Sequence, residues 1–367
     1  MQGELSEKKR NSSIDIIRLV ALFGVVGVHF FLNTGFYEIQ VSGAKLFFAI
    51  TVRSFFMYCV PLFIMITGYL MNKKTLSRKY YKGIIHTYIT YVVISIILLI
   101  FSNIYFKTNY SIEDGFFKIL DFSAANYSWY IEMYLGLFLL IPFINLMYHG
   151  LESKKHKQIL ILTFIALTAL PLLLNYNEYR NWSWWLQPAK SYDYDKIVPQ
   201  FWEILYPLTY YFIGAYICEY QPKIKRSTNI MLLILATLAA GAIGYYRSFG
   251  GAFSNGQYQG WGSIQYILIA YFLFVLLLNI DSSGLSQRFK NILRMLSNAS
   301  LGAYLISYMF DKLVYTQLNS VVTNVNQKYM WFPITTLLVF SLSLVSALII
   351  DLVIKRLSTI NERNRIQ

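Results

Sequence analysis

Ten stretches of this 367-residue chain are long and apolar enough to cross a bilayer, which narrows its folding options more than any motif. Inside hydrocarbon every backbone N–H and C=O must be paired within its own segment, so apolar runs of about 20 residues fold as helices. The runs lie at 14–32, 46–70, 84–106, 126–148, 157–175, 201–219, 229–247, 262–280, 298–318 and 331–354, with Pro61, Pro142, Pro171 and Pro207 inside them. With 56% hydrophobic and only 14% charged residues, the chain belongs with integral membrane proteins rather than soluble enzymes. We therefore expect an all-α polytopic membrane protein of about ten transmembrane helices, forming a single domain over 1–367.

The placement of cations orients the spans. Lys and Arg in the segments 8–10, 73–82, 154–157, 223–226, 288–294 and 355–365 number 21, against nine on the opposite side. Cytoplasmic loops carry the positive excess, so both termini are expected in the cytoplasm. The net charge of +14 is thereby topological, and a nucleic-acid role is not expected. Cys59 and Cys218 sit in apolar runs and do not suggest a disulfide framework, and the four His show no metal-ligand spacing, so no metal is expected.

Chemistry concentrates on the first span. At about 100° per residue, the eleven-residue step from Arg18 to His29 is three turns plus roughly 20°, and a rise of about 16 Å. Asp15 falls within about 40° of the same line. Ionisable groups inside a membrane segment usually face a cavity or a partner. His29, toward the outer end, is suited to accept a proton near neutral pH. Arg53, in the outer half of the second span, needs a carboxylate or a polar cavity; Glu132 is the leading partner, for Arg53 or for His29. Asp311 and Asp351 lie near span ends and read as interfacial. The inner loop with Lys73, Lys74, Arg78 and Lys79 suits anionic lipid or a phosphorylated cofactor. The outer loop 176–200, with Trp184 and Trp185, suits either sugar faces or the membrane interface.

The segment Ser13-Ile14-Asp15-Ile16-Ile17-Arg18-Leu19-Val20-Ala21, running on to Val28-His29, resembles the opening helix of the bacterial acyltransferase-3 membrane family, whose hallmark is an Arg, ten residues, then a His. Pro61 to Leu70, Ser128-Trp129-Tyr130 with Pro142, and Asn298 to Ser307 are similar to further segments of that family. Its late helix often ends in His, where this chain has Ser307.

The resemblance implies a membrane O-acyltransferase that moves an acyl group, usually acetyl from acetyl-CoA, to an extracytoplasmic hydroxyl of a cell-surface polysaccharide or its lipid-linked precursor. It also implies a multi-pass protein of the bacterial plasma membrane, with no permanently bound cofactor. Arg18, Asp15, Lys73, Lys74, Arg78 and Lys79 would then meet the CoA phosphates. His29 would serve as base or nucleophile, Glu132 would hold its tautomer, and Arg53 or a Tyr would stabilise the oxyanion. Trp129, Tyr130, Trp184 and Trp185 would contact the glycan. A homo-oligomer is left open. The competing reading is a transporter or flippase of lipid-linked sugar, with the charged stripe lining the path; the inverted repeats common in transporters are not evident.

Overall fold

A computed structural model describes residues 11–190, 193–254 and 256–363; the basic residues at 8–10 and Arg365, used above for orientation, lie outside it. The described residues are helical, with no strand beyond isolated bridges joining Gln40 to Ala252 and Val41 to Phe249. Each of the ten apolar runs is a helix. In chain order they are α1 (Ser12–Asn33), α2 (Gly43–Phe56) continued by α3 (Cys59–Met71), α4 (Ile84–Tyr105), α5 (Trp129–His149) and α6 (Lys154–Leu174). Then follow α7 (Tyr206–Tyr220), α8 (Arg226–Ser248), α9 (Ile264–Leu278), α10 (Ser300–Val321) and α11 (Phe332–Arg363). Among the described residues, eight helical segments are long and apolar enough to cross a membrane, confirming an all-α polytopic membrane protein. The two expected spans outside that group are α7, which is only 15 residues long, and α10, which carries Asp311 and Lys312.

Prolines explain the departures from simple spans. The second run breaks at Met57 and Tyr58, whose N–H groups bond three residues back, to Ser54 O (3.3 Å) and Phe55 O (3.2 Å). Pro61 has no N–H to offer Met57 O, so the helix tightens there and restarts. Pro207 does not kink a span as expected. It sits at the first turn of α7, where a missing N–H costs nothing, and the helix begins there rather than at 201. Pro142 lies within α5 and leaves Phe138 O without its backbone donor; the Tyr80 hydroxyl donates to that carbonyl instead (2.5 Å).

Two amphipathic helices occupy segments that hydropathy alone treats as loops. Gln287–Asn298, capped by Ser286 on Phe289 N–H (3.2 Å), leaves Phe289, Ile292 and Met295 exposed. Ile112–Leu120, opened by a Ser111–Asp114 capping box, exposes Ile112, Phe116 and Phe117. Outward apolar faces on short helices between spans suit the bilayer interface.

Hydrogen bonds join residues expected on the same side of the membrane. At one end Asn145 Nδ2 donates to Met71 O and Lys74 O (both 2.8 Å), His149 Nε2 donates to Asn72 O (2.7 Å), and Lys157 pairs with Glu219 (2.7 Å). At the other, Lys328 Nζ donates to Thr34 O (3.2 Å) and Gln40 Nε2 to Gly250 O (3.1 Å). The first is the Lys/Arg-rich end, here termed the basic end. Helix α1 runs between the two ends and packs on α2, α3, α9, α10 and α11, which is why most of its length is buried. The closest helix pair is α3 with α7. Any side chain at Gly68 would strike Tyr211 O, and any at Gly214 would strike Met65 O, so the backbones touch there only because both residues are glycine.

Candidate active site

Asn11 caps α1 by accepting from Ser13 N–H (2.9 Å), and the helix carries His29 to within one turn of its far end. His29 is buried, and its Nδ1 lies 3.0 Å from Oδ2 of Asp311 on α10. The Tyr127 hydroxyl donates to the same carboxylate oxygen (2.7 Å), and the Tyr127 ring stacks on the imidazole with centroids 3.7 Å apart. Tyr304, also on α10, holds this arrangement by donating its hydroxyl to the Tyr127 carbonyl. Asp311 is fully buried (0% exposed), and its Oδ1 has no hydrogen-bond partner among the described residues.

This geometry has a chemical consequence. A carboxylate can only accept, so it holds the proton on Nδ1 and leaves Nε2 as the basic nitrogen. A buried carboxylate also stabilises the imidazolium that forms when Nε2 takes a proton. His29, Asp311 and Tyr127 thus have the relations that a general base, the carboxylate orienting it and a clamp would have.

Arg18 lies half-buried on the same helix and lines a cavity of about 360 Å³. Its lining residues Leu70, Met71, His86, Asn298 and Asp351, of which Leu70, His86 and Asn298 are exposed, mark its mouth toward the basic end, and the lining extends to Tyr130 and Tyr304. The upper end therefore abuts the residue that binds Tyr127. The walls are mostly apolar, from Val25, Val60, Phe63 and Tyr134, with polar groups concentrated toward the mouth. His86 lies 3.8 Å from Asp351, which also pairs with Lys355.

The structure brings together some of the residues anticipated from sequence and separates others. Arg18 and His29 lie on one helix, but of the two only Arg18 lines the cavity. Lys73, Lys74, Arg78 and Lys79 are exposed on the segment following Met71, beside the cavity mouth rather than on its walls. Asp15 is buried and does not line the cavity. Glu132 is exposed, and the carboxylate on His29 is Asp311, so the expected Glu132–His29 pairing is corrected. Nor does Glu132 serve Arg53. That guanidinium is buried and donates to Tyr37 (3.3 Å), Gln259 (2.9 Å) and Tyr266 (3.0 Å), over the Phe253 ring. It fixes α2 to α9 and the adjoining loops.

Of the expected glycan contacts, Tyr130 faces the Arg18 cavity and Trp129 stacks near Trp261 (6.1 Å). Trp184 is buried beneath the Arg247 guanidinium (4.8 Å), and Trp185 packs edge-on against it.

Asp311 is not interfacial as expected but buried against His29, whereas Asp351, at the basic end, pairs with Lys355 and lines the cavity. The signal for Asp311 was present, since it lies one turn beyond Ser307 on the face of a span, where an ionisable group calls for a partner. Tyr127, just before α5, gave no such signal. No curated protein and no solved structure matches the chain. The family model for acyltransferase 3, described as an acyltransferase domain, matches residues 11–354. That match covers almost the whole membrane bundle, including the Arg18–His29 helix and the α10 helix that supplies Asp311, and the chain belongs to the acyltransferase-3 family.

Proposed function

We propose that this membrane acyltransferase moves an acetyl group from cytoplasmic acetyl-CoA to a hydroxyl of an extracytoplasmic polysaccharide, or its lipid-linked precursor, at the bacterial plasma membrane. One observation carries the reading. Helix α1 places Arg18 on a cavity whose exposed lining residues Leu70, His86 and Asn298 belong to the basic end, and His29, eleven residues on, against Asp311 outside the cavity lining. The excess of Lys and Arg argues that the basic end is cytoplasmic. Phosphates of the donor would meet Arg18, with Lys73, Lys74, Arg78 and Lys79 around the mouth, and the mostly apolar walls suit the pantetheine arm.

In this scheme the thioester lies near Tyr130 and Tyr304. An acceptor hydroxyl approaches from the opposite end, and His29 Nε2 takes its proton as the oxygen attacks the thioester carbonyl. Collapse of the tetrahedral intermediate breaks the C–S bond, and the departing thiolate receives the proton back from the imidazolium. Asp311 holds the imidazole tautomer and offsets its charge throughout.

The test is transfer of label from acetyl-CoA to glycan by purified protein in proteoliposomes. His29→Gln keeps size and hydrogen bonding but cannot shuttle the proton. Its transfer rate should fall by about 10²-fold or more, with acetyl-CoA binding and melting temperature retained. Substantial transfer by this variant would overturn the role of His29. Movement of glycan across the membrane without acylation would favour a transporter instead.

A further inference from the structure

Next to the Asp311–His29 pair, on the side away from the cavity, lies a cation that the reaction scheme does not use. Lys312 follows Asp311 on α10 and is half-buried. Its ammonium donates to Oδ1 of Asn33 (3.0 Å) and lies 5.4 Å from the centroid of the Tyr308 ring. Asn33 is the last residue of α1, one turn beyond His29, and its Nδ2 donates to His29 O (2.8 Å). Tyr308 in turn packs edge-on against Tyr127 (5.3 Å). Lys312 is therefore fixed to the same side chains that frame the imidazole, about one helical turn, or 5 Å, farther from the cavity.

Its bonding is incomplete. An ammonium has three donors, and among the described residues a single neutral amide oxygen takes one of them. Among the described residues no carboxylate lies within 4.0 Å of it; the neighbouring Asp311 gives Oδ2 to His29 and Tyr127. A partly desolvated cation in this state attracts an anion more strongly than a fully hydrated one does. The nearby Lys328 differs, since it is buried and caps the α1 terminus at Thr34 O (3.2 Å). Arg180, another cation of that end, is already paired with Asp195.

We propose that Lys312 is an acceptor-binding residue, and that the acceptor is an anionic glycan whose carboxylate or phosphate lies within about one sugar unit of the acylated hydroxyl. The proposal rests on the acyl-transfer reading above and adds the class of acceptor. The donor reaches His29 from the cavity side, so a cation on the far side of the imidazole meets the acceptor. Asn33 and the Tyr308 face hold the ammonium in place and leave two donors for the anion.

The experiment measures kcat/KM for labelled acetyl transfer to three matched oligosaccharides: one neutral, one bearing a uronate and one bearing a phosphate monoester. The wild-type protein should prefer an anionic acceptor by about fivefold or more at low salt, and the preference should shrink as salt rises. Lys312→Gln should bring the anionic-to-neutral ratio near one, while Lys312→Arg retains it. Whichever anion shows the preference identifies the group recognised. A wild-type ratio near one, or an unchanged ratio in Lys312→Gln, overturns the proposal while leaving acyl transfer intact. If Lys312→Gln fails to fold, a salt-insensitive wild-type ratio is the overturning result. Failure of the wild-type protein to acylate any acceptor, with acetyl-CoA bound, would overturn the acyl-transfer reading itself.

Discussion

His29 and Asp311 are separated by 282 positions in the chain and by 3.0 Å in the structure, one on the first apolar run and the other on the ninth. The contact draws α1 and α10 together at a buried ion-pairing position, with Tyr127 closing it from a third segment. A carboxylate so placed fixes a tautomer, and that role is open to direct test.

Asp311→Asn keeps the shape of the side chain but removes the charge that stabilises an imidazolium, and it permits the wrong tautomer. Acyl transfer should fall by about 10²-fold or more, with acetyl-CoA affinity preserved. Glu132→Gln, at an exposed position, should change the rate by less than about twofold. Comparable losses in the two variants would contradict the assignment of Asp311 over Glu132.

The Tyr80 hydroxyl and Pro142 form a matched pair through Phe138 O. Tyr80→Phe should destabilise the protein by about 1–3 kcal/mol, the usual cost of a buried acceptor left unpaired. Pro142→Ala supplies a backbone N–H for the same carbonyl, so adding Tyr80→Phe to that background should cost much less. A thermal double-mutant cycle reads the difference, and additive effects would remove the link.

Gly68→Ala inserts a methyl where α3 meets the backbone of α7 at Tyr211 and should destabilise by about 1–3 kcal/mol. Gly136, within α5, has open space where a Cβ would go, so Gly136→Ala should be neutral or gain up to about 1 kcal/mol. Melting temperatures in one detergent compare them, and equal shifts would deny that α3 and α7 are in backbone contact.

In the 176–200 segment, Asp195 accepts from the Arg180 side chain (2.7 Å) and from the backbone N–H of Arg180 (3.2 Å) and Tyr179 (2.8 Å). Those bonds, led by the Arg180 guanidinium, hold its carboxyl below the usual carboxylate range. A depressed folded-state value means the stabilisation is present above the unfolded value, about 3.9, and is lost as pH falls through the folded one. Limited proteolysis of this segment should therefore rise on acidification below about pH 4 in the wild type. Asp195→Asn should be more readily cut at neutral pH and should lack that acid step.

How much of this was legible in the sequence differs by kind. Ten apolar runs, their alternation across the membrane and the Arg18–His29 stripe could all be read from local order. Hydrocarbon obliges each spanning segment to pair its own backbone, so length and apolarity are enough to call a helix. The finer local features depended on prolines, at the 57–58 break and the late start of α7, and on two amphipathic segments that charge counting disguised as loops. What the sequence did not contain was the rotation of each helix about its axis. Lipid and protein interior are about equally apolar, so an apolar run does not record which face meets neighbours. On that basis Glu132 reads as the leading partner and Asp311 as interfacial. Packing turned one out to the surface and sealed the other against His29, and the same packing set Lys312 beside Asn33 and carried Tyr127 over the imidazole. Helix identity was a local property, whereas the active-site partners were decided by which helix faces could interlock.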